Sequence, residues 1–197
     1  MKGGSGADFA YGGSGQDLIN GGSGSDDIRG GGGNDTLKGG NGEDKLYGGN
    51  GLDKLYGGAG GDLMFGMAGN DHFNAAGGDD TIYGGSGKDK ILMGAGSDIV
   101  SGGDSSDRFV FRAGDRDNST DVITDFTRQG DELDKLDLRL LNLDAGGVSK
   151  AEWIDDYVSQ AASGDVTIDI GNLTIRLVDH DNLGDGFLAQ VEDGLFI

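Results

Sequence analysis

The chain has 197 residues, among them 43 glycines but no proline or cysteine, and its 35 acidic against 15 basic residues leave a formal net charge of −20. So acidic a balance argues against nucleic acid as a partner, and the missing cysteines exclude the disulfides that small extracellular domains ordinarily rely on. No apolar run of the secretory kind follows Met1 and Lys2, and no transmembrane segment is expected because no stretch approaches the length of a membrane span.

From Gly3 to Val110 the chain is one pattern of nine residues, G-G-x-G-x-D-x-U-x with U apolar, repeated twelve times without insertion or deletion. A fixed period of this kind marks a solenoid, in which each short unit buries its apolar face only against its neighbours. The sixth place is always aspartate: Asp8, Asp17, Asp26, Asp35, Asp44, Asp53, Asp62, Asp71, Asp80, Asp89, Asp98 and Asp107. The eighth is always apolar, running from Ala10, Ile19 and Ile28 through Leu37, Leu46, Leu55, Met64, Phe73, Ile82, Ile91 and Val100 to Phe109. The last three places are expected to alternate outward, inward, outward as a short strand does. The glycines at the first, second and fourth suit a tight turn that visits positive φ or lets another group approach closely.

This nonapeptide resembles the calcium-binding repeats of the repeats-in-toxin (RTX) family over residues 3–110. The resemblance implies an all-β fold, a right-handed parallel β-roll solenoid with two nonads per coil. It also implies Ca2+ held in the turns, between nonads eighteen residues apart, by aspartate carboxylates and backbone carbonyls. Carried over, the twelve aspartates become the metal ligands, and six turns along each of two edges enclose about ten structural Ca2+ sites. A physical argument stands beside the resemblance. One core side chain in nine residues is too little apolar burial to offset the chain entropy. Aspartates stacked about 4.8 Å apart repel one another. A hard divalent cation that takes carboxylate and carbonyl oxygens removes that repulsion and makes binding and folding one event.

Departures from the pattern cluster late. Met67 replaces a second-place glycine, Ala75 and Ala76 both leading glycines of one repeat, Met93 a first-place glycine and Ser105 a fourth-place glycine. A Cβ costs most where φ is positive, so the turns of 66–74, 75–83 and 102–110 are expected to hold weaker or altered sites. The pattern alone does not say which of these places has positive φ.

Beyond the roll of 1–110, residues 111–197 read as a small β-rich cap with one helix. Asp121–Phe126 and Leu136–Leu140 alternate like strands, and Val166–Ile170 and Leu173–Leu177 flank Gly171 and Asn172, a two-residue hairpin turn. Ser149 and Glu152 form a capping box for a helix whose apolar face carries Trp153, Ile154, Tyr157, Val158 and Ala161. The run Asp121-Val-Ile-Thr-Asp-Phe126, with Gly130 and Asp134-Lys-Leu-Asp-Leu138, resembles the C-terminal segment of serralysin-type proteases and related proteins exported by type I secretion. Glu192 to Ile197 is similar to the acidic-then-apolar ending of their export signal, interrupted here by Gly194; an ordinary closing strand is the alternative. Asp181–Gly186 with Glu192 matches part of an EF-hand loop, but Leu183 stands where a ligand is needed, which favours a plain loop or hairpin. Asp115, Asp117 and Asn118 either complete a terminal calcium site or form a solvated acidic loop.

No catalytic constellation is visible. His72 and His180 are the only histidines, cysteine is absent, and the H-E-x-x-H zinc motif of serralysins is missing. On the outward strand places, Tyr47, Phe65 and Tyr83 are expected to form an aromatic row on one sheet. Lys54, His72, Lys90 and Arg108 are expected to form a basic row on the other, with Lys38 alongside. Three readings compete. The first is a non-catalytic calcium-binding module of a secreted, extracellular protein, working with the type I secretion machinery and an upstream catalytic or adhesive domain, since a roll that starts in register at Gly3 has no N-terminal cap of its own. The second is a polysaccharide-binding module resembling the R-modules of alginate epimerases. The third is a stand-alone surface or matrix protein.

Overall fold

A computed structural model describes residues 1–115, 117–126, 134–140, 158–160, 165–170 and 172–178. The repeats form thirteen strands: β1 (Lys2–Ser5), β2 (Phe9–Ser14), β3 (Leu18–Ser23), β4 (Asp27–Gly32), β5 (Thr36–Asn41), β6 (Lys45–Asn50), β7 (Lys54–Ala59), β8 (Leu63–Ala68), β9 (His72–Gly77), β10 (Thr81–Ser86), β11 (Lys90–Ala95), β12 (Ile99–Asp104) and β13 (Arg108–Arg112). A 3-10 turn (Ala113–Asp115) follows, then β14 (Ser119–Ile123), β15 (Lys135–Leu140), β16 (Val158–Gln160), β17 (Val166–Ile170) and β18 (Leu173–Leu177). Odd-numbered strands from β1 to β15 line up in one sheet of eight; the even-numbered strands from β2 to β14 continue through β18, β17 and β16 into a sheet of ten. Within the roll all pairing is parallel, with each residue opposite the one eighteen further on, as Ile19 faces Leu37 and Leu37 faces Leu55. The chain is therefore an all-β parallel solenoid with two nonads per coil.

Most strands of the roll are six residues long, not three. They run from the seventh place of one repeat into the third place of the next, so the two leading glycines belong to strands and not to the turn. The physical reason is the alternation of faces. The eighth and first places both point inward, and the interior is too thin for two side-chain rows from each sheet. A Cβ on the first-place Gly12 would lie 2.6 Å from Asp17 Oδ2 and 2.7 Å from the carbonyl oxygen of Gly30, so only glycine fits. Where the first place is Ala75 or Met93, the side chain is fully buried and joins the core.

The second and fourth places are the ones with positive φ. Glycines there span φ 98 to 138°, whereas Met67, Ala76 and Ser105 sit at 78, 79 and 82°. A side chain thus pulls its turn away from the glycine geometry toward the left-handed helical region, which non-glycine residues occupy at some cost.

The interior row from Ile19 to Phe109 is buried and merges with Phe111, Ile123, Phe126, Leu136, Leu138, Ile168, Leu173 and Ile175 in one cluster. At the other end Ala10 is only partly buried and Phe9, Tyr11 and Leu18 are exposed. The apolar mass therefore lies at the C-terminal end. There β14 and β15 add to the two sheets with changed offsets, Val100 facing Ile123 and Phe109 facing Leu136. The expected strands at 136–140, 166–170 and 173–177 match those observed to within a residue, that at 121–126 begins earlier and ends at Ile123, and β17 and β18 pair antiparallel around Asn172. One expectation needs correction: Val158, placed above on a helix, lies in β16, where pairing with β17 sets Val158 against Ile168. Ladder hydrogen bonds to an existing sheet edge outweigh local helical periodicity for this β-branched residue. The rest of that helix, the EF-hand-like loop, His180 and the Glu192–Ile197 ending lie outside the described residues.

Replacing Ala76 by glycine should relieve the left-handed strain. The expected gain is about 1 kcal/mol in the calcium-loaded protein, read as a higher thermal midpoint. Gly40→Ala should lower the midpoint, because its Cβ would collide with the carbonyl of Gly22.

Candidate metal centres along the two edges

Each turn carries its aspartate at the point where the chain leaves the turn for the next strand, so the coil stacking arranges the aspartates in two ladders. Asp8, Asp26, Asp44, Asp62, Asp80 and Asp98 line one edge; Asp17, Asp35, Asp53, Asp71, Asp89 and Asp107 line the other. Each inner aspartate is fastened twice. Its Oδ1 accepts the backbone N–H of the aspartate one coil earlier at 2.7–2.9 Å, as Asp44 does from Asp26 and Asp71 from Asp53. Its carbonyl accepts the seventh-place N–H of the coil after it, also at 2.7–2.9 Å, as Asp44 does from Leu63.

The other carboxylate oxygen has no such partner. Oδ2 of every ladder aspartate except Asp17 is buried without a hydrogen-bond partner, and from Asp26 to Asp107 these residues are no more than 2% exposed. A buried anionic oxygen left unpaired is costly. The electrostatics register that cost. Burial, with neighbouring aspartates adding and the backbone N–H bond opposing, pushes Asp62 and Asp71 up to about 6, Asp89 and Asp98 to about 7, and Asp80 and Asp107 to about 8.

These features fit a hard cation. The orphaned oxygens recur once per turn, and the turn carbonyls press on the positive-φ glycines of the following coil: a Cβ on Gly42 would lie 2.5 Å from the oxygen of Gly24. Among the described residues no three acidic or histidine side chains gather to hold an ion by themselves. An ion in the ladder would therefore be shared by carboxylate and main-chain carbonyl oxygens, a ligand set that suits Ca2+. All twelve expected aspartates stand in these ladders.

Two further ladder members escaped the nonapeptide pattern. Asp121 Oδ1 accepts the N–H of Asp98 at 3.0 Å, and Asp134 Oδ1 accepts that of Asp107 at 2.8 Å, so each ladder gains a seventh rung. The sign of them in the sequence is the second half of the repeat standing alone: Asp121-Val-Ile123-Thr and Asp134-Lys-Leu136-Asp keep D-x-U-x without the glycine turn.

The outward rows form in register. Tyr47, Phe65 and Tyr83 stack with centroids 5.1 and 5.0 Å apart, and Arg29 lies over both Tyr47 and Phe9. Lys54, His72, Lys90 and Arg108 align on the other sheet, with Lys135 extending them. Arg108 is tied to Asp137, and burial, with Lys90 and Lys54 adding, lowers the pKa of His72 below its ordinary value.

A family model for the RTX calcium-binding nonapeptide repeat matches residues 2–37, 20–55, 29–64, 56–91 and 94–116. No curated protein sequence matches the chain. Among solved structures, the extracellular lipase LipA of Serratia marcescens is similar at 19% identity and a TM-score of 0.22, covering 86% of this chain and 37% of the lipase. The AlgE6R3 subunit of the Azotobacter vinelandii mannuronan C5-epimerase is similar at 22% identity and a TM-score of 0.30, covering 71% of this chain and 76% of the subunit. The chain thus spans just over a third of the lipase's length. No helix among the described residues is long and apolar enough to cross a membrane.

The raised carboxylate pKa values predict a sign. Without metal, the folded roll keeps protons on Asp80 and Asp107 up to about pH 8, which an unfolded chain releases near pH 4. That stabilisation is complete below about pH 4 and is lost as the pH rises through about 8. In chelator, far-ultraviolet circular dichroism should therefore gain β character on acidification from about pH 8.5 to 5, and calorimetry should detect proton release when calcium binds. A metal-free spectrum indifferent to pH would contradict the buried ladder.

Proposed function

The chain belongs to the RTX calcium-binding nonapeptide-repeat family, and on that footing we propose that it is a non-catalytic calcium-dependent folding module of a protein exported by type I secretion. The observation that carries this reading is the row of buried, unpartnered Asp Oδ2 atoms repeated on both edges of the roll. Like charges at the strand spacing of about 4.8 Å repel by roughly 1 kcal/mol per neighbour even in water. Bound calcium would supply the missing positive charge and oxygen coordination. The chain's own residues do the rest: Oδ1 and the carbonyl of each inner aspartate tie three successive coils together, and glycine lets the coils close on one another.

Export fits the same chemistry. A chain whose ladders cannot close without calcium stays unfolded where calcium is scarce and folds where it is plentiful, and ion binding to the folded state alone would oppose return through the transporter. A polyanionic glycan finds less support, because Arg108 is engaged by Asp137 and His72 is pushed toward neutrality, which leaves separated lysines on that face.

In chelator at neutral pH the repeat half should be largely disordered, and calcium at about 10⁻⁴–10⁻³ M should restore β structure cooperatively. A β-rich spectrum that chelator leaves unchanged would overturn the proposal. For export, the full chain and a chain truncated after Gly164 can be co-expressed with a type I transporter. Loss of secretion on truncation is expected; equal secretion of both would leave only the calcium module.

A further inference from the structure

Three Asn-Gly pairs stand in the repeats: Asn20-Gly21, Asn41-Gly42 and Asn50-Gly51. Such a pair is chemically labile, because glycine has no Cβ to shield its nitrogen from the amide carbon of the preceding side chain. Asn41 and Asn50 are exposed and end strands β5 and β6. Their glycines therefore open turns on opposite edges of the roll, just ahead of Asp44 and Asp53.

Folding fixes both pairs from two sides. The Asn41 carbonyl accepts the Gly24 N–H at 2.7 Å, and the Gly42 N–H donates to the Ala59 carbonyl at 2.7 Å. The Asn50 carbonyl accepts the Gly33 N–H at 2.8 Å, and the Gly51 N–H donates to the Ala68 carbonyl at 2.9 Å. The nitrogen that would attack the side chain is thus committed to the next coil. In a chain without ordered coils the same nitrogen is free to turn onto the amide.

Resting on the calcium-folding reading, we propose that Asn41 and Asn50 are self-modification sites protected by calcium-driven folding, so that a chain left unfolded converts them and loses the ability to close its roll. The Gly42 nitrogen gives its proton to solvent and bonds to Asn41 Cγ; the Cγ–Nδ2 bond breaks, and the amide nitrogen takes a proton from solvent and leaves as ammonia. Water then opens the cyclic imide. Breaking the new N–Cγ bond leaves aspartate, whereas breaking the original peptide bond leaves isoaspartate, whose main chain runs through the side-chain methylene. In sum one water is taken up and one ammonia released, with nothing oxidised or reduced. Asn50 and Gly51 react in the same way.

The two products differ in what the roll can accommodate. Asp104 already stands at the same third place of its repeat, and its carbonyl still accepts the Gly87 N–H at 3.3 Å, so the aspartate product fits. Isoaspartate adds a carbon to the main chain between a carbonyl and an N–H that must meet the coils on either side. The turns have no slack for it: a Cβ on Gly42 would lie 2.5 Å from the Gly24 oxygen, and one on Gly51 would collide with the oxygen of Gly33. Both breaks fall in mid-roll, one on each edge, and so interrupt the stack rather than fray its end.

The test holds the full chain for several days in mildly alkaline buffer, in chelator or in saturating calcium. Circular dichroism follows folding, and mass spectrometry with chromatographic separation of the isomers follows the peptides around Asn41 and Asn50. Conversion should be about tenfold or more slower in calcium, because it tracks the fraction of chains whose turns are open. When calcium is returned to chelator-aged samples, the wild type should regain less β structure than fresh chain. A triple variant, Asn20→Ser with Asn41→Ser and Asn50→Ser, should recover fully; serine already stands at the third place in Ser14 and Ser86 and at the ninth in Ser101. Fresh chain carrying Asn41→Asp and Asn50→Asp should fold as wild type, which assigns the loss to isoaspartate. Equal conversion in calcium and chelator while circular dichroism shows folding, no conversion in chelator, full recovery of a converted wild type, a triple variant that recovers no better, or failure of the fresh aspartate variant to fold overturns this inference and leaves the calcium reading standing. A spectrum that never responds to calcium overturns both.

Discussion

The rest of the structure depends on one interaction, the aspartate rung. A single residue per repeat joins three coils, its carboxylate reaching back to one neighbour and its carbonyl accepting from the other. The geometry leaves one anionic oxygen buried and unsatisfied at nearly every step. A stack of buried, unpaired carboxylate oxygens opposes folding, and a divalent cation shared between them would offset that cost. RTX nonapeptide repeats bind calcium, and in this chain the unpartnered oxygens recur once per turn along both edges.

The glycines answer to the same constraint. At the first place they make room for the carboxylate of their own repeat, as Gly12 does for Asp17; at the second and fourth they let successive turns lie against one another. Met67, Ala76 and Ser105 show that a side chain can be tolerated at these places, with a shift in φ. Ala75 and Met93 turn inward instead, into the core.

Apolar burial is graded along the axis. The first coil leaves Phe9, Tyr11 and Leu18 exposed, while the last ones pack Phe109 against Phe126 with centroids 5.9 Å apart and join the cap's Ile168 and Ile175. Burial deepens in the same direction, and the carboxylates of the later rungs are held higher: about 6 at Asp62 and about 8 at Asp107. Opposing trends thus meet at the C-terminal end, where apolar packing is richest and unpaired negative charge most confined.

The nonapeptide determined the strand period, the inward row from Ile19 to Phe109, the eighteen-residue register and the two aspartate ladders, because each follows from a spacing that a parallel stack must obey. The aromatic and basic rows were legible for the same reason. Which glycines carry positive φ was not, since all share one residue type and only the closed turn separates the crowded first place from the left-handed second and fourth. Val158 took its strand from β17, a partner that local periodicity does not contain. Asp121 and Asp134 were hidden for a related reason. Their rungs depend on offsets of 23 and 27 residues where the repeat has 18, and such offsets are set by how the chain folds back onto the last coil. Periodic contacts could be read along the chain, whereas contacts that break the period were decided by tertiary packing, because there the partner's identity depends on a path through space that no local spacing encodes.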